Sequence, residues 1–390
     1  MRNVVIAAAA RTPIGRFKGA FADIRADHLG AAVLNDLLRR SGLAADAVDD
    51  VIFGCVTQIG EQCGNIARTS LLGAGWPEHI PGMTVDRKCG SAEAAIHTAY
   101  AQIAAGVCDV VAAGGAESMT RVPMGSNRDL HGKPFGWRLM ERFEMTSQGE
   151  AAERVADRWK LSRTDLDQFA VDSHARAGAA ADSGHFDREI VPVRIRDWSE
   201  TREGDASVVV AKDETIRRGT HLEKLATLKP SFRPDGKVTA GNSSQISDGA
   251  SAVLLMAEDL ARERGIVPLA RIRAVTVVGS DPTLMLTGPV AATRKVLAKA
   301  GLSTDDIDLF EVNEAFASVP LMWLKELRVA PDRLNVNGGA VALGHPLGAS
   351  GARIMTTLVH ELARRRARYG LQAICCAGGL ATASIIERVG

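Results

Sequence analysis

Residues 38–49 read Leu-Arg-Arg-Ser-Gly-Leu-Ala-Ala-Asp-Ala-Val-Asp, and residues 297–308 read Leu-Ala-Lys-Ala-Gly-Leu-Ser-Thr-Asp-Asp-Ile-Asp. Leu, Gly, Leu, Asp and Asp recur in register, and Val48 falls opposite Ile307. Each stretch has the form of a helix stopped by a glycine (Gly42, Gly301), a short loop, and a buried strand at 51–53 or 309–312. The chain therefore reads as a diverged duplication. Outward from the repeats, apolar runs at 107–113 and 371–377 each end in a glycine pair, Gly114-Gly115 and Gly378-Gly379. Both follow helical stretches, 91–105 and 350–365. Strands alternating with helices predict an α/β fold with right-handed crossovers and mostly parallel sheets covered on both faces.

The middle is different. Residues 118–245 carry much charge and many Pro, Gly and Trp residues, with a polar loop at 197–205 and turns at Lys229-Pro230 and Arg233-Pro234-Asp235-Gly236. This segment reads as a loop-and-helix subdomain inserted between the repeats. The division expected is 1–117 plus 246–270 for the N-terminal half, 118–245 for the insertion, and 271–390 for the C-terminal half.

The 390 residues are enough to bury a large core without staples. Lys plus Arg is 47 and Asp plus Glu 46, so nothing draws the chain toward nucleic acid or an anionic membrane. None of the six cysteines sits in a Cys-x-x-Cys pair, so no metal site is expected and the setting reads as reduced and cytoplasmic. The apolar run 4–10 stops at Arg11 and reads as a buried first strand rather than a secretory signal. No run approaches the roughly 18 apolar residues of a membrane helix.

Four places carry chemistry. Cys89 follows the strand-like Met83-Thr84-Val85-Asp86 and precedes a helix starting at Gly90-Ser91. A thiol there meets free helix N–H groups, which with Arg87 and Lys88 are expected to lower its pKa, toward roughly 3.5–7.5. The alternative is a small buried apolar residue. His345 lies in the glycine-rich stretch 337–351, either held on a rigid loop or incidental to a turn. Cys375 and Cys376 end a buried strand, and the pleat sends one to each face. Asn313 and Glu314 follow the second repeat's strand, where open sheets place ligands, or Asn313 is a helix N-cap.

Together, Cys89-Gly90-Ser91, Asn313-Glu314-Ala315-Phe316-Ala317, Gly344-His345-Pro346-Leu347-Gly348 and Cys375-Cys376-Ala377-Gly378-Gly379 resemble the four signature blocks of the thiolases, the acyl-CoA:acetyl-CoA C-acyltransferases. The resemblance runs from Arg11-Thr12-Pro13 to Ile386-Glu387-Arg388. It implies two α/β halves in a layered αβαβα arrangement with the insertion over the site, and a homodimer or homotetramer. It implies Cys89 as nucleophile, His345 as the base that takes its proton, and Cys375, rather than Cys376, as the second acid/base. The His345 N–H and a water on Asn313 would stabilise an enolate; the backbone N–H groups of Cys89 and Ala377 would form a second oxyanion hole. Coenzyme A and acyl-CoA would be substrates, with no tightly bound cofactor. Arg217 would meet the nucleotide end and Ser244 the pantetheine, with Leu228 and Phe232 packing on that arm.

Ala92, Ala377, Ala381 and Ala383 stand where the family has glycine; Ala377 keeps its N–H, and its methyl is expected to narrow the pocket. Ser147-Gln148-Gly149-Glu150 replaces the His-Met-Gly of short-chain enzymes, whereas Met285 matches the short-chain pattern; Phe316 also belongs to the substrate side. Gln148 and the short loop 121–146 resemble degradative 3-ketoacyl-CoA thiolases that accept bulky or branched acyl groups. The expected activity is CoA-dependent cleavage of a 3-ketoacyl-CoA. The alternatives are acetoacetyl-CoA synthesis, a decarboxylating ketoacyl synthase, or a non-catalytic acyl-CoA-binding protein.

Overall fold

The computed structural model describes residues 1–389 apart from 129, 203, 204 and 206, so residues 203, 204 and 206 around the predicted polar loop 197–205 are outside the described residues. Nine strands carry the architecture: β1 (Val4–Arg11), β2 (Asp50–Gly54), β3 (Gly82–Val85), β4 (Val110–Ser118), β5 (Ser247–Ala257), β6 (Ala270–Gly279), β7 (Leu309–Val312), β8 (Tyr369–Cys376) and β9 (Leu380–Arg388). β1, β4 and β5 are buried at every position, as strands covered on both faces must be. The first apolar run is thus a core strand.

The duplication is written in the topology. The N-terminal half has the order β1-β5-β4-β2-β3, and the C-terminal half has β6-β9-β8-β7. Beyond β7, a parallel bridge from Phe310 to Leu334 takes the place of β3. In both halves the first two pairings are antiparallel and the rest parallel. The halves join where β1 and β6 pair at Val5–Arg271 and Ile6–Ala270. The two glycine stops also hold: Gly42 and Gly301 adopt φ 71° and 68° and close their helices on carbonyls one turn back.

The sheet is mixed, which corrects the expectation of mostly parallel strands. β9 follows β8 through a three-residue hairpin, 377–379, with Gly378 and Gly379 at φ 87° and 77°, and such a short link returns the chain antiparallel. Gly114 and Gly115 do not end a strand either; β4 runs through them. A Cβ on Gly115 would fall 2.0 Å from the Gly348 carbonyl oxygen, so the missing side chain is what lets the His345 loop lie against the sheet.

Three apolar clusters define the layers. One joins helix Ala26–Ser41 to the N-terminal strands through Leu29, Val33, Val51 and Leu254. Another joins helices Gly288–Ala300 and Ser318–Leu327 to the C-terminal strands through Val296, Trp323, Leu371 and Ile385. Between them, helices Ser91–Ala104 and Ser350–Arg365 pack together, with Ile96, Ile103, Met355 and Leu358 touching strands of both halves. In β4 the pleat divides the work, Val110 and Ala112 facing the outer cluster and Val111 and Ala113 the central one. The order is helix, sheet, helix, sheet, helix. Residues 118–245 add helices Gln148–Arg158 and Arg163–Asp182 and several short turns.

Candidate active site

The two central helices begin at Ser91 and Ser350, and the predicted thiol and imidazole sit just before them. Lys88 is left-handed (φ 51°), a conformation a non-glycine side chain resists. The Ser91 hydroxyl secures this turn, accepting from the Arg87 N–H at 2.8 Å and donating to the Lys88 carbonyl at 2.6 Å. Cys89 is thereby delivered, buried, against Met119, Leu347 and Ile374. Its sulfur meets its own N–H and that of Ala377. Burial nevertheless pushes the thiol up to about 12, against the pull of those two N–H groups and Lys88. The expected lowering does not occur, because desolvation outweighs the helix terminus.

His345 is buried too, and burial, with the Arg353 charge assisting, takes its imidazole down to about 3. The Ser350 hydroxyl donates its single proton to the Pro346 carbonyl at 2.8 Å. It therefore accepts from His345 Nδ1–H at 2.6 Å, and Nε2 carries the lone pair. Asn313 Nδ2 donates to that Nε2 at 3.3 Å, and Asn313 Oδ1 is buried without a partner. Asn313 is no N-cap, since helix Ser318–Leu327 starts from Ala317. A neutral imidazole with an unprotonated Nε2 facing Asn313 and a neutral thiol are thus both buried.

The loop carrying His345 is tied down by residues the sequence reading left unassigned. Glu117, fully buried at the end of β4, accepts from the N–H groups of Val56, Thr57 and Gly348 at 2.9–3.0 Å and from Gln62 Nε2 at 3.0 Å. Burial raises its carboxyl, and these donors counter only part of the rise. One carboxylate thus binds a loop of each half. Ser251 Oγ holds the Ala349 carbonyl at 2.6 Å, and Ser247 Oγ accepts from the His345 N–H at 2.8 Å. A polar residue at the C-terminal end of β4 was the available signal for Glu117.

Both cysteines of the pair interact electrostatically with Cys89, and burial raises both thiols. Cys375 belongs to the cluster containing Met285, Ala315 and Phe316. Cys376 presses on Gly90, where an added Cβ would lie 2.6 Å from its sulfur. Met285 is buried and left-handed at φ 51°, its N–H bonded to the Asp281 carbonyl at 2.8 Å. Gln148 opens helix Gln148–Arg158 behind the Ser147 cap. Phe232 lies on Gly149 and meets Phe316 edge-to-face at 6.0 Å. Ser244 N–H bonds the Ala315 carbonyl at 3.0 Å, and Leu228 packs beside Val341. Arg217 is exposed, with Nη2 3.2 Å from Gln245 Oε1. Ala92, Ala381 and Ala383 are fully buried, and Ala377 is half-buried. The Ala381 methyl fits because helix Gly288–Ala300 crosses it with a glycine, where a Cβ would be 2.7 Å away.

All six cysteines are free. Among the described residues, no helix is long and apolar enough to cross a membrane, and no group of three or more His, Cys, Asp or Glu is placed to hold a metal ion.

This architecture and these blocks coincide with family-level matches along nearly the whole chain. The thiolase N-terminal domain matches residues 4–259 and the thiolase C-terminal domain residues 266–388. The chain belongs to the thiolase family and is an acyltransferase. It is 45% identical to a steroid 3-ketoacyl-CoA thiolase of Mycobacterium tuberculosis, over all of this chain and 95% of that one. It is 47% identical to a 3-ketoacyl-CoA thiolase of Klebsiella pneumoniae, over the full length of both. The crystal structure of the Bacillus anthracis acetyl-CoA acetyltransferase superposes with a TM-score of 0.91 at 41% identity, covering 100% of this chain and 99% of that one.

Proposed function

We propose that this protein catalyses the reversible, CoA-dependent cleavage of a 3-ketoacyl-CoA to acetyl-CoA and a shortened acyl-CoA. The observation that carries the reading is that a buried neutral thiol, Cys89, and a buried neutral imidazole, His345, whose Nε2 is left unprotonated by the Nδ1–H bond to Ser350, stand just before the two central helices of the duplicated halves. Cys89 gives its proton to His345 Nε2, and the sulfur attacks the 3-keto carbon. The bond between C2 and C3 then breaks. Its electron pair goes to the departing acetyl-CoA enolate, which is protonated by the Cys375 thiol. The enolate oxygen is met by His345 Nε2–H and a water on Asn313, for which the unpartnered Oδ1 speaks. The acyl group stays on Cys89, its oxygen at the N–H groups of Cys89 and Ala377. In the second half, Cys375 thiolate takes the proton of incoming CoA, whose sulfur displaces Cys89, and the leaving Cys89 thiolate recovers its proton from His345.

Cys375 is preferred over Cys376 because it belongs to the apolar cluster that also holds Met285 and Phe316, whereas Cys376 is sealed against Gly90. Arg217, Ser244, Leu228 and Phe232 would line the CoA arm, and Gln148, Met285 and Phe316 the acyl side. Residues 118–245 would be the CoA-binding unit between halves 1–117 plus 246–270 and 271–390. The protein would act as a homodimer or homotetramer in the cytoplasm, with CoA and acyl-CoA as substrates and no tightly bound cofactor.

The degradative direction rests on Gln148 and on the two 3-ketoacyl-CoA thiolase relatives. The buried Met285 and the acetyltransferase neighbour favour the acetoacetyl-CoA reading of the same site. A thiolysis panel with 3-ketoacyl-CoA esters of increasing bulk separates them. Rising kcat/KM beyond acetoacetyl-CoA is expected. Activity on acetoacetyl-CoA alone would overturn the degradative reading, and no thiolysis at all would overturn the whole assignment.

A further inference from the structure

Gln245 lies between the residue expected at the nucleotide end of CoA and the residue expected to take the Cys89 proton. Its Oε1 accepts from Arg217 Nη2 at 3.2 Å. Its Nε2 donates to the carbonyls of Thr215 at 2.8 Å, Val341 at 3.0 Å and Ala342 at 3.1 Å. Its own carbonyl accepts from the His345 N–H at 3.1 Å and from Ser247 Oγ at 3.1 Å. The same Ser247 Oγ accepts from that His345 N–H. One residue therefore bonds the Arg217 segment at two points and the His345 segment at three. The Arg217 N–H is fixed in turn by His174 Nδ1 at 3.1 Å, and burial keeps that imidazole neutral, with a value lowered to about 4.

A primary amide suits this task. It is uncharged and offers both an acceptor to a guanidinium and donors to backbone carbonyls; a carboxylate would repel those carbonyls and a lysine would repel Arg217. Arg217 is exposed and carries five N–H donors, so a phosphate can take some while Nη2 stays on Gln245.

We propose that Gln245 is a positioning residue that couples the binding of an adenosine bisphosphate at Arg217 to the placement of the His345 imidazole. The proposal rests on the functional reading above. An anion that immobilises Arg217 immobilises the Gln245 amide, and with it the 341–342 carbonyls and the turn leading to His345. Coupling of this kind runs both ways and needs no movement of the sheet.

Adenosine 3′,5′-bisphosphate tests it, because it offers the nucleotide end without the pantetheine arm that would cover Cys89. Alkylation of Cys89 by iodoacetamide is followed at pH 8.5 on the full chain, with and without saturating bisphosphate. In the unmodified protein the bisphosphate is expected to raise the rate by roughly fivefold, the lower range of allosteric couplings. In Gln245→Met, which keeps the side-chain length and removes the hydrogen bonds, the bisphosphate still binds by calorimetry but the rise shrinks to less than about twofold. Hydrogen exchange on the unmodified protein supplies a check that needs no variant: the amides of 343–345 are expected to slow when bisphosphate binds. Binding without any change in alkylation or exchange, or an undiminished rise in Gln245→Met, overturns the coupling and leaves the thiolase reading intact. Failure of the bisphosphate to bind, or alkylation that spares Cys89, overturns both.

Discussion

The loop before helix Ser91–Ala104 and the loop before helix Ser350–Arg365 occupy the same place in two halves of one topology, yet one holds a thiol and the other an imidazole. The same comparison holds at the ends of β2 and β7. Cys55 follows β2, where burial raises its thiol and its sulfur leans on Glu117 at 3.8 Å. Asn313 follows β7 and reaches His345. At the ends of β4 and β8 stand Glu117, fastened by backbone donors, and Cys375, buried in the C-terminal cluster. Duplication supplied matched positions at corresponding strand ends and helix starts. On the proposed mechanism, divergence then gave the C-terminal half most of the proton-handling groups and left the nucleophile on a braced frame in the N-terminal half.

Exchanging groups within that comparison should give graded losses. The largest is expected for Cys89→Ser, a drop in thiolysis of about 10⁴-fold or more with little change in melting temperature. His345→Gln removes the base and should cost roughly 10³-fold in kcat, read in the same assay. Asn313→Ala removes an oxyanion support and should cost on the order of 10²-fold, mainly in kcat rather than KM. A pH series sharpens the electrostatic side. Cys89 is raised to about 12, so its thiolate fraction should grow about tenfold per unit from pH 7 to 9, and alkylation should climb without a plateau. A plateau near pH 7 would mean the thiolate is already formed there. The smallest effect belongs to Cys55→Ala, the counterpart of Asn313. It should leave turnover within about a factor of three and cost on the order of 1 kcal/mol of stability, read by urea unfolding.

Much of the frame was legible because it depends on local, periodic signals. The glycine stops at 42 and 301, the buried run 4–10 and the helices near 91–105 and 350–365 follow from propensity and capping. Strand direction was not legible. The antiparallel course of β9 depends on a three-residue hairpin whose glycines read equally well as a strand end, and β4 continues through Gly114 and Gly115 because both are paired with β2 and with β5, the latter more than a hundred residues away. The four motif blocks pointed to Cys89, His345, Cys375 and Asn313. Glu117 and Gln245 escaped notice because their bonds to the His345 segment join residues about a hundred or more positions apart, and Ser350 because its bond to His345 five residues earlier depends on the loop's tertiary course. The thiol was misjudged in the opposite direction: helix position was visible in sequence, and the burial that overrides it was not.

The most direct measurement is peptide mapping by mass spectrometry after rapid mixing with acetyl-CoA and acid quench. A single acetyl group on the peptide carrying Cys89, lost when free CoA is added and absent in Cys89→Ser, is the result expected. Acetylation of another residue, or none while acetyl-CoA is demonstrably bound, would contradict the thiol–imidazole pair on which the chemistry depends.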